Sequence, residues 1–84
     1  MNLREEIEEL ETVVQEAKVR EGEATEVFEL ARAYLTDARH FLERGKREEA
    51  LEAYAIAWAY IDALLHLRLI EIPSRFLRLF TVDR

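Results

Sequence analysis

The apolar residues of the chain fall into three helical patterns that two glycines separate. In the first pattern they recur at alternating spacings of four and three residues, and the positions are Leu3, Ile7, Leu10, Val14 and Ala17. A narrow apolar seam on a charged segment predicts a first helix over about residues 3–21. Asn2 fits its N-cap, because Glu5 follows at the third helical position. Gly22 is expected to end it.

The second pattern is wider and comprises Val27, Phe28, Leu30, Ala31, Tyr34, Leu35, Ala38, Phe41 and Leu42. It predicts a second helix over about residues 24–44, with Thr25 as a candidate N-cap. Gly45 stands where a glycine in the left-handed conformation would end that helix.

The third pattern begins near Arg47 and predicts a helix over about residues 47–71, which Pro73 would end. Because both connections are short, consecutive helices should be antiparallel neighbours. We therefore expect an all-α domain over residues 1–84, folded as an antiparallel three-helix bundle. Residues 74–84 are expected to form a short helix or an arm that packs on helix 3 or on a partner chain.

Helix 3 is apolar on nearly every side in the stretch AYAIAWAYIDALLHL, residues 53–67. A helix of this kind must be buried, and two neighbours in a bundle cannot surround it. The sequence therefore predicts a protein-interaction or scaffold module that forms a homo-oligomer, with a dimer favoured, or binds a dedicated protein partner. The candidate interface residues are Tyr54, Trp58, Ile61, Asp62, Leu65, His66, Leu69, Phe76 and Phe80.

Composition and charge exclude several classes of protein. The net charge is −6, and residues 1–30 contain ten glutamates against three basic residues, which argues against nucleic-acid binding through helix 1. There is no cysteine for a disulfide or a thiolate metal site. Residues 1–20 do not resemble a signal peptide, and Asp62 and His66 interrupt the apolar stretch. We expect a cytoplasmic protein with no membrane partner.

Asp37 and Asp62 lie on the apolar faces of helices 2 and 3, so both are candidates for buried polar groups. Antiparallel packing separates them by about 12 Å along helix 3, too far to share a metal ion or a proton. His66 follows Asp62 by one turn, which favours a hydrogen bond between them. The alternative function is a small-ligand or nucleotide-binding module with a polar site around Asp37, Asp62 and His66.

Catalytic chemistry has no support in the sequence. No serine or cysteine nucleophile accompanies His66, and there is no glycine-rich phosphate loop and no helical metal motif. We predict no enzyme activity, no cofactor and no catalytic or metal-binding residue.

Residues 34–70 resemble an archaeal family of uncharacterised helical proteins, domain of unknown function family 357. The matching residues are Tyr34, Asp37, Ala38, Phe41, Gly45, Ala50, Ala57, Tyr60, Asp62 and Ala63. The chain departs from the family at Trp58, Ala59, Leu64 and Arg68, where the family carries a histidine and glycines. The resemblance implies a helical bundle, an archaeal source and no established biochemical activity.

A weaker resemblance is to one tetratricopeptide unit. It is carried by Tyr34, Ala38, Phe41, Ala50, Tyr54 and Ala57. Arrays of this repeat need about three units, and the chain has one. The resemblance therefore implies similar packing of a helical hairpin rather than a repeat protein.

Overall fold

The computed structural model describes residues 1–83, which form three α-helices, a small sheet and two 3₁₀ helices. In chain order these are α1 (Leu3–Glu16), β1 (Lys18–Val19), α2 (Glu23–Glu43), α3 (Arg47–His66), β2 (Ile70–Glu71) and the 3₁₀ helices Ser74–Leu79 and Thr81–Asp83. Residues 73–83 are named the C-terminal arm. The predicted all-α class is confirmed, and Arg84 lies outside the described residues.

Asn2 and Gly45 act as the caps that the sequence predicts. The Asn2 Oδ1 atom accepts a hydrogen bond from the Glu5 amide at 3.2 Å, which caps α1. Gly45 has a φ of 74°, and the following Lys46 amide donates to the Phe41 carbonyl at 2.9 Å. This left-handed cap ends α2 and directs the chain into α3.

The predicted N-cap of α2 is wrong. Gly22 is the N-cap, with no side-chain hydrogen bond, and the helix begins at Glu23. Thr25 already lies in the first turn, where its amide donates to the Gly22 carbonyl at 3.0 Å. A glycine with a φ of 95° therefore makes the turn without a hydroxyl cap.

Helices α1 and α3 end earlier than the sequence predicts, at Glu16 and His66. The following segments pair as antiparallel strands, with Lys18 opposite Glu71 and Val19 opposite Ile70. Backbone hydrogen bonds between the strands replace the helical ones, so helical continuation to residues 21 and 71 is excluded.

Arg68 ends α3 in the conformation that Gly45 adopts after α2. Its φ is 59°, and the next amide, of Leu69, donates to the Leu64 carbonyl at 3.0 Å. A non-glycine residue in this region costs about 1–3 kcal/mol. The turn after α3 is therefore strained where the turn after α2 is not.

The core lies where α1 crosses the α2–α3 hairpin. Its largest fully buried side chains are Ile7, Leu10, Val13 and Ile61. Val13 is buried at the point where the predicted apolar seam had Val14, and Val14 is only half-buried. Alanines on α2 and α3 let the two helices approach closely, and Ala31, Ala38 and Ala50 have no exposed surface.

The C-terminal arm packs on α3, one of the two locations predicted for it. Phe76 and Phe80 are 7% and 3% exposed, and such burial stabilises the fold by about 1.5–3 kcal/mol for each ring. The accessible surface of the chain is 5598 Å². A folded monomer of 9.9 kDa is expected to expose about 5,200 Å². The single chain therefore buries nearly as much surface as a typical small protein.

Candidate protein-binding surface

One side of α3 is covered by α1 and the arm. The Tyr54 hydroxyl donates to the Glu6 carboxylate of α1 at 3.1 Å, and burial together with that carboxylate raises the pKa of Tyr54. Trp58 stacks on Phe80 of the arm, with ring centroids 5.7 Å apart, and its indole N–H donates to the Leu79 carbonyl at 3.1 Å. The apolar helix thus finds much of its cover within its own chain.

This cover corrects the predicted interface. Five of its candidate residues are in the core of the chain itself: Tyr54, Ile61, Leu65, Phe76 and Phe80. These side chains are therefore not free to form the interface predicted for them. Trp58 and Leu69 are half-buried and pack against the same core.

A hydrogen-bonded network links the arm to α3 and consists of Asp62, His66 and Thr81. The Thr81 amide and hydroxyl donate to the Asp62 carboxylate at 2.8 and 2.6 Å. The His66 Nε2 atom lies 2.7 Å from the Thr81 hydroxyl oxygen but 3.7 Å from the carboxylate. The direct hydrogen bond predicted between Asp62 and His66 is thus replaced by a bridge through Thr81.

The direction of these hydrogen bonds gives Asp62, Thr81 and His66 a structural role. A hydroxyl has one proton, and the short bond to an ionised carboxylate takes it. Thr81 must then accept from His66, so the histidine acts as a donor and does not activate the hydroxyl as a base would. The Asp62 side chain is only 14% exposed, and both of its carboxylate oxygens accept hydrogen bonds from Thr81.

Asp37 is exposed on α2, so the prediction that it is a buried polar group is wrong. Helix α2 turns it away from α1, and it lines a shallow pit that the arm does not reach. Asp37 therefore lies apart from Asp62 and His66, neither of which lines this pit. Residues 1–83 contain no cluster of three histidine or acidic residues suited to a metal ion.

The opposite side of the α2–α3 hairpin is apolar and uncovered. We name it the open face; its residues are Val27, Leu30, Tyr34 and Phe41 of α2 with Ile56, Tyr60, Ala63 and Leu67 of α3. Leu30 and Leu67 are 43% and 66% exposed. Tyr34 and Tyr60 stack across the two helices with centroids 6.1 Å apart and planes at 28°. The other large side chains of this face are half-buried, so apolar side chains from two helices form one strip that is partly open to solvent.

Acidic side chains border both ends of this strip. Asp37, Glu49 and Glu52 line a pit of about 180 Å³ beside Tyr34 and Ile56. Glu23 and Glu26 line a second one of about 420 Å³ beside Val27 and Leu30. We name these five carboxylates the acidic rim. No basic residue lines either pit, and no ion pair within residues 1–83 involves the rim.

Several carboxylates of α1 have arginine partners within the chain, in contrast to the rim. Arg75 and Arg78 of the arm lie 2.7 and 2.9 Å from Glu16 and Glu9. Arg39 of α2 forms two hydrogen bonds with Glu11, which raise the pKa of its guanidinium. The arginines that form these ion pairs therefore face α1, and none of them neutralises the acidic rim.

The largest cavity is a broad groove of about 820 Å³ between α1 and α2. Its two guanidinium groups, of Arg32 and Arg39, are paired with Glu29 and Glu11. No unpaired cation is left in this groove for an anionic ligand, so it offers less to a binding partner than the open face does.

Sequence reasoning missed the open face and the role of Thr81. The signal for the open face was the width of the second apolar pattern, since Val27, Leu30, Tyr34 and Phe41 form a stripe beyond the one that packs on α1. Thr81 gave no signal, because its partner Asp62 is 19 residues away. None of the described helices is both long and apolar enough to cross a membrane.

Comparison with known proteins gives a family but no described function. A family model described as a protein of unknown function (DUF357) matches residues 1–70, from the start of α1 to the first residue of β2. Among curated proteins and among solved structures, no match was found. Since the match covers most of the 84 residues and includes all three helices, the chain belongs to the DUF357 family.

Proposed function

We propose that the chain is a protein-interaction module and that the open face is its docking surface. The observation that carries the proposal is the apolar strip around the half-buried Tyr34–Tyr60 stack, beside which Leu30 and Leu67 are exposed. Aromatic side chains with polar hydroxyl groups are typical anchors of protein interfaces. A contiguous apolar patch on a small protein marks an interaction site more often than a structural surface.

The distribution of internal contacts also supports this location. The arm covers the other side of α3 with two stacked rings and the Asp62–Thr81 hydrogen bonds. A docking surface on that side would require the arm to detach. The open face needs no rearrangement, and rigid helices on both sides preorganise it for binding.

The ligand-binding alternative has less support. Asp62 and His66 are engaged by Thr81, and Asp37 lies on the other side of the hairpin. The cytoplasmic location expected from the sequence stays a prediction, and the homodimer is an alternative that solution mass tests. If the dimer forms, the open face is the surface that we propose for it.

Selection from a displayed library of random peptides tests the proposal without assuming the chemistry of the partner. The native chain and an Ile56→Glu variant, each checked for helical circular dichroism, are used as parallel targets. We expect peptides that bind the native chain and lose at least tenfold in affinity for the variant, because the glutamate places an unpaired charge in the apolar contact.

Leu30→Glu supplies a second test, since Leu30 is already 43% exposed and tolerates a charge without loss of fold. Peptides that bind both variants as well as the native chain contradict the proposal. A library that yields no binder to the native chain contradicts it as well.

A further inference from the structure

The acidic rim brings five exposed carboxylates to the border of one apolar surface. In α1, Glu9, Glu11 and Glu16 each have an arginine partner. In the described part of the chain, none of the five rim carboxylates has one. Because the rim borders an apolar strip, a partner that covers the strip must also lie against these carboxylates.

The shape of the open face fits a helix. Two antiparallel helices leave a groove between them, and a third helix that fills such a groove presents residues at spacings of three and four. From Val27 to Phe41 the groove runs for about 21 Å along α2, which corresponds to about four turns of a partner helix. Tyr34 and Tyr60 lie near its middle.

The charge of the face selects among helices. Lysine and arginine place their aliphatic stems along apolar surface while their charged ends reach carboxylates at its border. A helix with basic residues beside its apolar stripe can thus contact the strip and neutralise the rim. A second copy of the open face would set one acidic rim against another, which is unfavourable by like-charge repulsion.

We infer that the occupant of the open face is a basic amphipathic helix, about four turns long, of another protein. Its apolar stripe packs on Tyr34, Ile56 and Tyr60. Lysine or arginine side chains on both sides of that stripe pair with Asp37, Glu49 and Glu52 at one end and with Glu23 and Glu26 at the other. This inference deepens the proposed function and rests on it.

Two synthetic peptides test the inference by fluorescence anisotropy with the full chain. Both are four-turn helices with leucine and alanine on one face, and they differ only in having lysine or glutamate beside that face. We expect the lysine peptide to bind at least tenfold more tightly than the glutamate peptide. Its affinity should fall as salt rises from about 50 to about 500 mM, because exposed charge pairs are screened.

Charge reversal on the chain locates the effect. The double variant with Glu49→Lys and Glu52→Lys should bind the lysine peptide at least tenfold more weakly than the native chain does. The matched control, Glu5→Lys with Glu21→Lys, changes the net charge equally at two exposed positions away from the open face. It should change the affinity less than threefold, because the rim is intact.

The outcomes separate this inference from the proposed function. If the glutamate peptide binds as tightly as the lysine peptide and Ile56→Glu abolishes both, the docking surface stands and the basic partner is excluded. If both double variants bind the lysine peptide equally weakly, the basic partner is also excluded, because the attraction then depends on net charge alone. If neither peptide binds and the library selection yields no binder, the docking surface itself is excluded.

Discussion

Tyr34 of α2 and Tyr60 of α3 stack their rings at a centroid distance of 6.1 Å on the side of the hairpin that α1 and the arm leave uncovered. On another side of α3 the arm covers apolar surface within the chain, through the stack of Trp58 on Phe80. Helix α3 is apolar on nearly every side, yet the chain exposes a near-normal area of surface. The contrast between the two stacks on this helix explains why. One side of it is closed by the arm, and the other is open to a partner.

Removing the Thr81 hydroxyl should release the arm. In Thr81→Val the mostly buried Asp62 carboxylate keeps only the backbone amide as a donor. We expect the free energy of unfolding in urea to fall by about 1–3 kcal/mol, the usual effect of leaving a buried acceptor short of a donor. Trp58 is the single tryptophan, so its fluorescence should shift to longer wavelength as the arm moves away.

Thr36→Val is the matched control for this prediction. The Thr36 hydroxyl is exposed and donates only to the Arg32 carbonyl of its own helix at 3.0 Å. Its loss should change stability by less than about 0.5 kcal/mol. Equal stability of the Thr81→Val chain and the native chain would show that the hydroxyl hydrogen bond to Asp62 does not hold the arm.

Tyr54 should make stability depend on alkaline pH. Its pKa is raised above the ordinary value of 10.0, because ionisation would bury an anion beside Glu6. The folded chain then retains a proton that the unfolded chain releases, so this contribution is complete below pH 10 and is lost as the pH rises above it. Urea unfolding between about pH 9 and 11.5 should show that decline.

Tyr54→Phe separates the two effects of this residue. At pH 7 the loss of the hydrogen bond to Glu6 should cost about 0.5–1.5 kcal/mol. Above pH 10 the variant should lose less stability than the native chain, since phenylalanine does not ionise. Parallel pH profiles for the two chains would contradict the raised pKa.

The left-handed turn at Arg68 predicts a stabilising substitution. Arg68→Gly should raise the free energy of unfolding by about 1 kcal/mol, because glycine adopts a φ of 59° without steric cost. Gly45→Ala should have the opposite effect of similar size, since Gly45 has a φ of 74°. Thermal unfolding of both variants checks the pair. A destabilised Arg68→Gly chain would mean that the arginine side chain contributes more than its backbone strain costs.

The helices were predictable from the sequence because their signals are local. The Asn2 cap and the Gly45 turn each depend on atoms only a few residues apart. The strand pair was not predictable, because Lys18 and Glu71 meet only after the whole chain has folded. Apolar residues keep a helical spacing through Ala17 and Leu69, so the predictions for the first and third helices extended too far.

The candidate site was predictable only in part. The excess of apolar residues on α3 indicated that it needs further cover, but periodicity does not show which neighbour supplies it. Phe76 and Phe80 supply it from the arm, which made the expected interface residues part of the core. The acidic rim needed the structure as well, since its meaning depends on which carboxylates the arginines of the arm leave unpaired.

Solution mass tests the dimer that the sequence predicted. We expect light scattering at low salt to give the 9.9 kDa of a single chain at micromolar concentration, because the acidic rims of two copies repel one another. A dimer that persists on dilution and is lost in Ile56→Glu would place a second copy on the open face. That result would confirm the docking surface and exclude the basic helix as its occupant.

The most direct test of the open face is a map of backbone amide chemical shifts during titration of the native chain with the lysine peptide. We expect the largest changes to cluster on α2 and α3 around Leu30, Tyr34, Ile56 and Tyr60, with little change in the arm. Changes concentrated in the α1–α2 groove, around Thr12 and Arg32, or at Thr81 in the arm would contradict this expectation.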